Sequence, residues 1–242
     1  MGFCMPSKGL IYVAFGKRYE RLAARAITYS RTKTDLPILV LTDIPKNDRS
    51  PDWGEGIAFK DMSGLNIKNR RVKLSLNKYT PFDETLYLDC DSVIQNPGIE
   101  RVFDDIVKHD IVLRVYGCYT KRTHLMSYYA LTFDRCKVQL PVWIYYGAFV
   151  GFKKSAGTDL FFKTWYDNHE TAGITREMPA LAVTVKQLRD KINIHEYMTA
   201  DNVFTWKRDS KPIIAHEIGD SATWWNNFWK RNSVTWKSTV CI

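Results

Sequence analysis

Two aspartates one residue apart, Asp89 and Asp91, are the side chains of this sequence best placed to do chemistry. They follow the apolar run Thr85-Leu86-Tyr87-Leu88, which reads as a buried strand. Two carboxylates held this close at a strand end repel each other unless a cation lies between them. Mg²⁺ and Mn²⁺ prefer oxygen ligands and bridge carboxylates to phosphates. The spacing therefore predicts a divalent-cation site, with a solvated turn capped by aspartates as the alternative.

Two further residues could complete such a site. His216 follows the apolar segment 212–215 and so also lies at a predicted strand end, although a lone histidine is more often structural or solvated. A neutral imidazole can join carboxylates around Mn²⁺. Lys73, with Arg70 and Arg71 beside it, comes shortly before the aspartates on a predicted helix, where a cation could hold a phosphate group. A solvated basic helix face is the alternative explanation of this cluster.

The elements that must position these residues alternate between strand and helix. Short apolar runs predict buried strands, and apolar residues three or four apart predict helices. The predicted strands are 9–15, 37–42, 57–60, 84–88, 110–116, 142–152, 191–197 and 211–216. The predicted helices are 18–29, 69–79, 155–169, 179–188 and a short one in the tryptophan-rich tail, 221–231. This order predicts an α/β fold with a mostly parallel sheet, whose ligands bind beyond the carboxyl ends of its strands.

Composition limits the class of protein. The chain has 242 residues, enough for one large domain, and a formal net charge of +9. That charge favours an anionic partner such as a nucleic acid, an anionic membrane surface or a nucleoside diphosphate, although a solvated basic surface explains it as well. Five cysteines without a CxxC spacing predict neither a zinc site nor a disulfide framework, and reduced thiols fit a cytoplasmic setting. No stretch approaches the roughly 20 apolar residues of a membrane span.

The segment TLYLDCDSVIQNP resembles the metal-binding segment of the GT-A glycosyltransferases, especially glycogenin, the bacterial galactosyltransferases of family 8, and small viral and bacterial enzymes of this class. Other segments match the family in the same order: GLIYVAFGKRYERLAARAITYSRTKTDLPILVLTD, RRVKLSLNKYTPFDE, YYGAFVGFKKS and IIAHEIGD. The resemblance implies a single GT-A (Rossmann-like) domain over 1–242, with a mixed, mostly parallel sheet flanked by helices. It also implies a nucleotide-binding half of about 1–115 and an acceptor-binding half of about 116–242.

The same resemblance implies the site residues. Mn²⁺ or Mg²⁺ would be bound by Asp89, Asp91 and His216. The nucleotide-sugar donor, expected to be UDP-linked, would contact residues in both halves of the chain. These donor-binding residues are Ala14, Phe15 and Tyr19 at the nucleobase, Asp43 near the base or ribose, Lys73 and Asp89 at the diphosphate, and Gly147 near the sugar.

Two departures from the family's pattern concern the reaction itself. The chain has Tyr145-Tyr146-Gly147 where the family often has Asn-Thr-Gly or Asn-Ser-Gly, which leaves the contacts to the donor sugar open. A bulge or bend in the strand is the alternative role of Gly147. It has Glu177 near the start of a helix that the family commonly opens with Asp-Gln. Glu177 is the candidate catalytic residue, as a general base in an inverting enzyme or an orienting carboxylate in a retaining one. A glutamate favoured by the helix dipole is the alternative.

The predicted function is metal-dependent transfer of a sugar to an acceptor hydroxyl, in a glycan, with no nucleic-acid partner. Two alternatives from other classes remain at this point, beside a catalytically inactive glycosyltransferase that serves as a lectin. A phosphatase of the haloacid dehalogenase type also carries DxD after a strand, with the first aspartate as nucleophile, but normally on its first strand. A basic nucleic-acid-binding module would use Lys/Arg contacts to phosphates and aromatic stacking, and here the cations are scattered among acids. The sequence does not specify the oligomeric state.

Overall fold

The chain forms alternating strands and helices. A computed structural model of the protein describes residues 7–49, 53, 56–65, 69–205 and 212–216. The strands are β1 (Lys8–Ala14), β2 (Ile38–Thr42), β3 (Ile57–Asp61), β4 (Glu84–Leu88), β5 (Ser92–Ile94), β6 (Ile111–Tyr119), β7 (Val142–Lys153), β8 (Ile194–Tyr197), β9 (Phe204–Thr205) and β10 (Ile214–His216). The helices are α1 (Gly16–Arg31), α2 (Asn69–Lys73), α3 (Ile99–Lys108), α4 (Ser127–Arg135), α5 (Ala156–Ala172) and α6 (Met178–Leu188).

Seven of the strands form one mixed sheet in the order β3-β2-β1-β4-β7-β6-β8. Neighbouring strands pair parallel except at β7, which runs antiparallel to both β4 and β6. The chain builds outward from β1 to β2 and β3 on one side, and then returns to place β4 on the other side of β1. In open α/β sheets, ligands bind in the crevice at such a switch point, outside the carboxyl ends of the strands.

Helices cover both faces of this sheet because its strands send alternate side chains to two apolar cores. Along β1, Leu10 and Tyr12 join the core that α1 and α3 complete, while Ile11 and Val13 join the core that α5 and α6 complete. The α/β fold with a mixed, mostly parallel and helix-flanked sheet is therefore confirmed. The division into two functional halves near residue 115 stays a prediction, and its boundary falls inside β6.

A second, three-stranded sheet carries His216. Strand β10 pairs antiparallel with β5, where His216 lies opposite Ser92, and it pairs parallel with β9. Because β5 begins directly after Asp91, this pairing brings a histidine from late in the chain to the two-aspartate segment.

One predicted helix needs correction, and two helices were missed. The helix predicted over 69–79 ends at Lys73, and a 3₁₀ turn follows at Leu76–Lys78. Val72, Lys73, Leu74 and Leu76 are all buried, and this run of buried residues does not have the helical spacing of three to four. Helices α3 and α4 were not predicted, although the buried positions of α3 are spaced three and four apart.

Cysteine pairing differs from the expectation as well. Cys118 is disulfide-bonded, whereas Cys90 and Cys136 carry free thiols. The expectation of reduced thiols throughout is therefore wrong for Cys118. No helix in the described part of the chain combines the length and apolarity needed to cross a membrane. The predicted tail helix over 221–231 lies outside the described residues, and the cytoplasmic location stays a prediction.

Candidate metal and donor site

The carboxyl ends of β1, β2 and β4 meet at one edge of the large sheet. The parallel registers pair Ala14 with Thr42 and Ile11 with Tyr87, so the residues that follow each strand lie side by side. Phe15 follows β1, Asp43 follows β2 and Asp89 follows β4. The topology thus brings together three sequence-predicted regions at the switch point.

The loop that carries the two aspartates is held on both sides. The Asp89 backbone N–H donates to the carbonyl of Ala148 on β7 at 3.1 Å, and the Ser92 N–H donates to the Asp89 carbonyl at 2.9 Å. The Cys90 thiol is buried and donates to the carbonyl of Val13 at 2.9 Å. Burial raises the pKa of Cys90 well above its ordinary value, so it remains a thiol. Cys90 therefore anchors the loop to β1, while both carboxylates beside it stay partly exposed.

Asp89, Asp91 and His216 form one cluster of candidate metal ligands. One ligand atom from each lies within 4.8 Å of the other two, and no other such group occurs among the described residues. His216 Nδ1 is 3.2 Å from Asp91 Oδ1 and 2.7 Å from Ser92 Oγ. Neighbouring ligands of an octahedral cation with bonds of about 2.1 Å lie about 3 Å apart, so the separation of Asp91 and His216 fits such a cation. The predicted metal ligands are thus brought together.

The electrostatics of the two aspartates differ. Burial raises the pKa of Asp91 above its ordinary value, His216 opposes this, and Asp89 adds to it. Burial also disfavours the charge on Asp89, but Lys73 and His216 outweigh it and lower the pKa of Asp89. The neighbouring protein groups therefore compensate the negative charge of Asp91 only in part, which fits a carboxylate that binds a cation.

Lys73 lies beside the aspartates, as predicted. Its Nζ is 2.9 Å from Asp89 Oδ1 and 3.0 Å from Glu177 Oε1, and its side chain is 8% exposed. Burial on its own would lower the pKa of Lys73, but Asp89 and Glu177 together raise it above the ordinary value. The ammonium is therefore a permanent positive charge between two carboxylates. The side chain of Arg70 lies outside the described residues, and Arg71 pairs with Glu170 instead.

Glu177 and Gly147 meet at the same place. Glu177 precedes α6, and its carbonyl accepts a hydrogen bond from Trp165 Nε1 at 3.1 Å, which fixes the start of the helix. A Cβ on Gly147 would lie 3.2 Å from Glu177 Oε1 and 3.7 Å from Lys73 Nζ, so the glycine lets the Lys73–Glu177 pair pack closely against β7. Burial raises the pKa of Glu177, but Lys73 outweighs it and lowers the pKa below its ordinary value.

The predicted nucleobase region is built around the start of α1. Asp43 Oδ1 accepts a hydrogen bond from the Gly16 backbone N–H at 2.7 Å, and Gly16 has a φ of 78°, where glycine is favoured. Asp43 thus satisfies an otherwise unpaired N–H at the helix N-terminus. Ala14 is buried and Phe15 is half-buried, whereas Tyr19 on α1 is 44% exposed. Ala14, Phe15 and Asp43 lie together, and their contacts to a base stay predictions.

Two partners of the cluster were missed from the sequence. Tyr87 donates its hydroxyl to Asp89 Oδ1, and the Ser92 hydroxyl contacts His216. A signal for Tyr87 was present, because residues two apart on a strand share a face, so the side chains at 87 and 89 had to be neighbours. The sequence contains no comparable signal for Ser92, because its contact with His216 depends on the pairing of β5 with β10.

The arrangement corresponds to a known class of fold. A mixed α/β sheet with two aspartates after a central strand, faced by a histidine from a late strand, is the GT-A glycosyltransferase fold, as the resemblance implied. The galactosyltransferase LgtC, solved with donor and acceptor sugar analogs, matches with a TM-score of 0.59 and 14% identity over 96% of this chain and 97% of its own. The glycosyltransferase GlyE of Streptococcus pneumoniae TIGR4 matches with a TM-score of 0.59 and 15% identity over 98% of this chain and 66% of its own.

These similarities are structural. No protein-family model and no curated protein sequence matches the chain. At 14–15% identity the likeness establishes the fold, and the activity has to be argued from the side chains of the site.

Proposed function

We propose that the chain transfers a sugar from a UDP-linked donor to a hydroxyl group of a glycan acceptor, with a divalent cation at Asp89, Asp91 and His216. The observation that carries this proposal is that these three side chains cluster beside the buried Lys73–Glu177 pair, at the switch point of a GT-A sheet. Donor and acceptor sugar analogs bound to LgtC, which has the same fold, support a sugar donor and a sugar acceptor here.

The ligand set supports Mn²⁺ more than Mg²⁺. Asp89 and Asp91 offer oxygen atoms and His216 offers an imidazole nitrogen, a mixture that Mn²⁺ accommodates more readily than the oxygen-preferring Mg²⁺. Held by Asp89, Asp91 and His216, the cation would supply positive charge that stabilises the charge developing on the leaving nucleotide.

Lys73 is assigned to the diphosphate of the donor. Its ammonium is buried, its pKa is raised, and it lies 2.9 Å from a carboxylate of the metal cluster. A cation fixed next to the metal site holds an anionic diphosphate and offsets its charge as the sugar–phosphate bond breaks.

Glu177 is assigned to the sugar. A general base works best when its pKa lies near the working pH, but the pKa of Glu177 is lowered below its ordinary value. The carboxylate is therefore ionised and suited to stabilise positive charge on the sugar ring in an oxocarbenium-like transition state. Gly147 fits this role, since a glycine next to Glu177 lets the donor sugar approach the backbone.

The base and ribose are assigned to the region at the start of α1. Asp43 uses Oδ1 for the Gly16 N–H, and Oδ2 has no partner among the described residues, so it can accept a hydrogen bond from a ribose hydroxyl. The exposed ring of Tyr19 would stack on the uracil, with Ala14 and Phe15 forming the floor of the pocket.

A thermal-shift panel tests the proposal. UDP-, GDP- and TDP-linked sugars are added separately, each with and without Mn²⁺. The UDP-linked sugar together with Mn²⁺ should raise Tm most, because this is the proposed pair of ligands. A ligand at 100 times its Kd stabilises the folded state by about 2.7 kcal/mol. Equal shifts from all nucleotides, independent of Mn²⁺, would contradict both the donor and the metal.

The two alternatives predict different results. A phosphatase would release phosphate from a generic phosphoester, whereas we expect none. Its motif would also normally follow the first strand, but Asp89 follows β4. A nucleic-acid-binding module would bind oligonucleotides with a steep salt dependence and no effect of a chelator, whereas the binding we propose is lost when the metal is chelated.

A further inference from the structure

The Tyr87 side chain contacts Asp89, one of the three candidate metal ligands. Tyr87 lies on β4, two residues before Asp89, so the two side chains point to the same face of the sheet. The Tyr87 side chain is buried. Its hydroxyl donates to Asp89 Oδ1, the same oxygen that Lys73 Nζ contacts at 2.9 Å. One oxygen of Asp89 therefore receives both donors, and Oδ2 has no partner among the described residues.

The hydrogen bond and the ion pair at Oδ1 restrict how Asp89 can bind a cation. A carboxylate with two free oxygens can bind through one or both of them, and it can rotate between these arrangements. With Oδ1 occupied by a hydroxyl and an ammonium, the carboxylate plane is fixed and Oδ2 is the oxygen left for the metal. Partners that orient a metal ligand in this way commonly change metal affinity when they are removed.

We propose that Tyr87 is a positioning residue of the metal site: its hydroxyl, together with the Lys73 ammonium, fixes Asp89 so that Oδ2 alone is presented to the divalent cation. The inference depends on the cation site of the proposed function and adds a residue to it.

A purely structural role for this hydroxyl is the competing explanation, since a buried hydroxyl generally needs a hydrogen-bond partner. The two roles predict different measurements. A structural hydroxyl affects the free energy of unfolding, whereas a positioning hydroxyl also affects metal affinity and the symmetry of the metal's ligand field. Lys73 lies over the Tyr87 ring, with Nζ 5.0 Å from its centroid, and Tyr87→Phe keeps that ring contact while it removes the hydroxyl alone.

Tyr145 provides a matched control. It is a buried tyrosine on β7 whose hydroxyl donates to the carboxylate of Glu196, and that carboxylate also pairs with Arg189 at 2.6 Å. Tyr145→Phe therefore removes the same kind of hydrogen bond from a carboxylate that belongs to no candidate metal cluster among the described residues.

The experiment titrates Mn²⁺ into the nucleotide-free full chain and measures free Mn²⁺ by electron paramagnetic resonance, with the spectrum of the bound ion recorded as well. We expect Tyr87→Phe to weaken Mn²⁺ binding about 10- to 100-fold and to change the spectrum of the bound ion. Tyr145→Phe should leave the Mn²⁺ Kd within about twofold of the original chain.

Each outcome decides the inference. If Tyr87→Phe lowers Tm but binds Mn²⁺ as tightly as the original chain, the hydroxyl is only structural and the inference fails, while the proposed function stands. If both tyrosine variants weaken binding equally, the effect is a general loss of stability, and the inference fails again. If the original chain binds no Mn²⁺, both the inference and the metal-dependent function are overturned.

Discussion

Two clusters on the large sheet have the same three components but differ in charge. At β7 and β8, the Tyr145 hydroxyl and the Arg189 guanidinium both bind Glu196, with Arg189 Nη2 2.6 Å from Glu196 Oε1 and 3.0 Å from the Tyr145 hydroxyl. At β4, the Tyr87 hydroxyl and the Lys73 ammonium both bind Asp89. In each case a tyrosine and a basic residue share one carboxylate.

The difference lies in what surrounds the shared carboxylate. The Glu196 cluster is balanced, since its one acid is paired with one guanidinium. Around Asp89, the carboxylates of Asp91 and Glu177 lie close by as well, and Lys73 is the one ammonium among the described residues that contacts these acids. Negative charge in excess of the cations that the described residues supply, in a largely buried place, favours the binding of a further cation. The excess negative charge around Asp89 therefore distinguishes a candidate cation site from the structural ion pair at Glu196.

Replacement of the basic residue should reveal the largest difference in stability between the two clusters. Lys73→Met leaves the largely buried Glu177 and the partly exposed Asp89 without their shared cation, and loss of one partner of a buried ion pair costs about 3–5 kcal/mol. Arg189→Met removes a side chain that is 45% exposed, so its cost should stay at or below about 1 kcal/mol. Urea unfolding of both variants in the absence of metal measures the two losses, and equal losses would show that the clusters are alike.

Removal of one excess carboxylate should have the next largest effect. Asp91→Asn keeps the size of the side chain but removes the charge that His216 and a cation would share, so the Mn²⁺-dependent rise in Tm with nucleotide-sugar should disappear. We expect Mn²⁺ affinity to fall by more than about 100-fold, the upper range for loss of an indirect partner. Glu196→Gln is the matched control, and it should leave the Mn²⁺-dependent shift intact.

An unchanged metal response in Asp91→Asn would remove this residue from the ligand set. The same result would also undermine the comparison, because the excess charge at Asp91 would then have no role in binding.

How much of this could be predicted from the sequence depends on the range of each contact. Asp89 and Asp91 were recognisable because the motif and the strand before it are adjacent in the chain. The ends of β1 and β2 followed from the same local patterns. By contrast, the contact of Lys73 with Glu177 spans 104 residues, and no local pattern encodes it. His216 was predicted only from the family's order of segments, because its pairing with Ser92 depends on a small sheet whose strands are short.

The local patterns also failed where burial did not follow one period. The segment after Lys73 contains apolar residues that pack into the core from an irregular backbone, so counting apolar positions extended α2 too far. Lys73 remained correctly located, because it lies in the part that is helical. The error therefore changed the expected length of an element without moving the site.

The smallest effect is expected at Gly147, where the Lys73–Glu177 pair contacts β7. In Gly147→Ala the new methyl group would lie 3.2 Å from Glu177 Oε1 and 3.3 Å from Met178 Cγ, so the carboxylate must shift by a few tenths of an ångström. A shift of about 1 Å at a reacting group can lower a rate by about 100-fold, so we expect about a tenfold loss of kcat, with a stability loss of about 1 kcal/mol. Gly64→Ala is the control, since an added Cβ there contacts nothing within 4 Å. If both alanine variants keep full turnover with the UDP-sugar, the position of Glu177 does not limit the reaction, and the uncompensated charge around Asp89 serves cation binding alone.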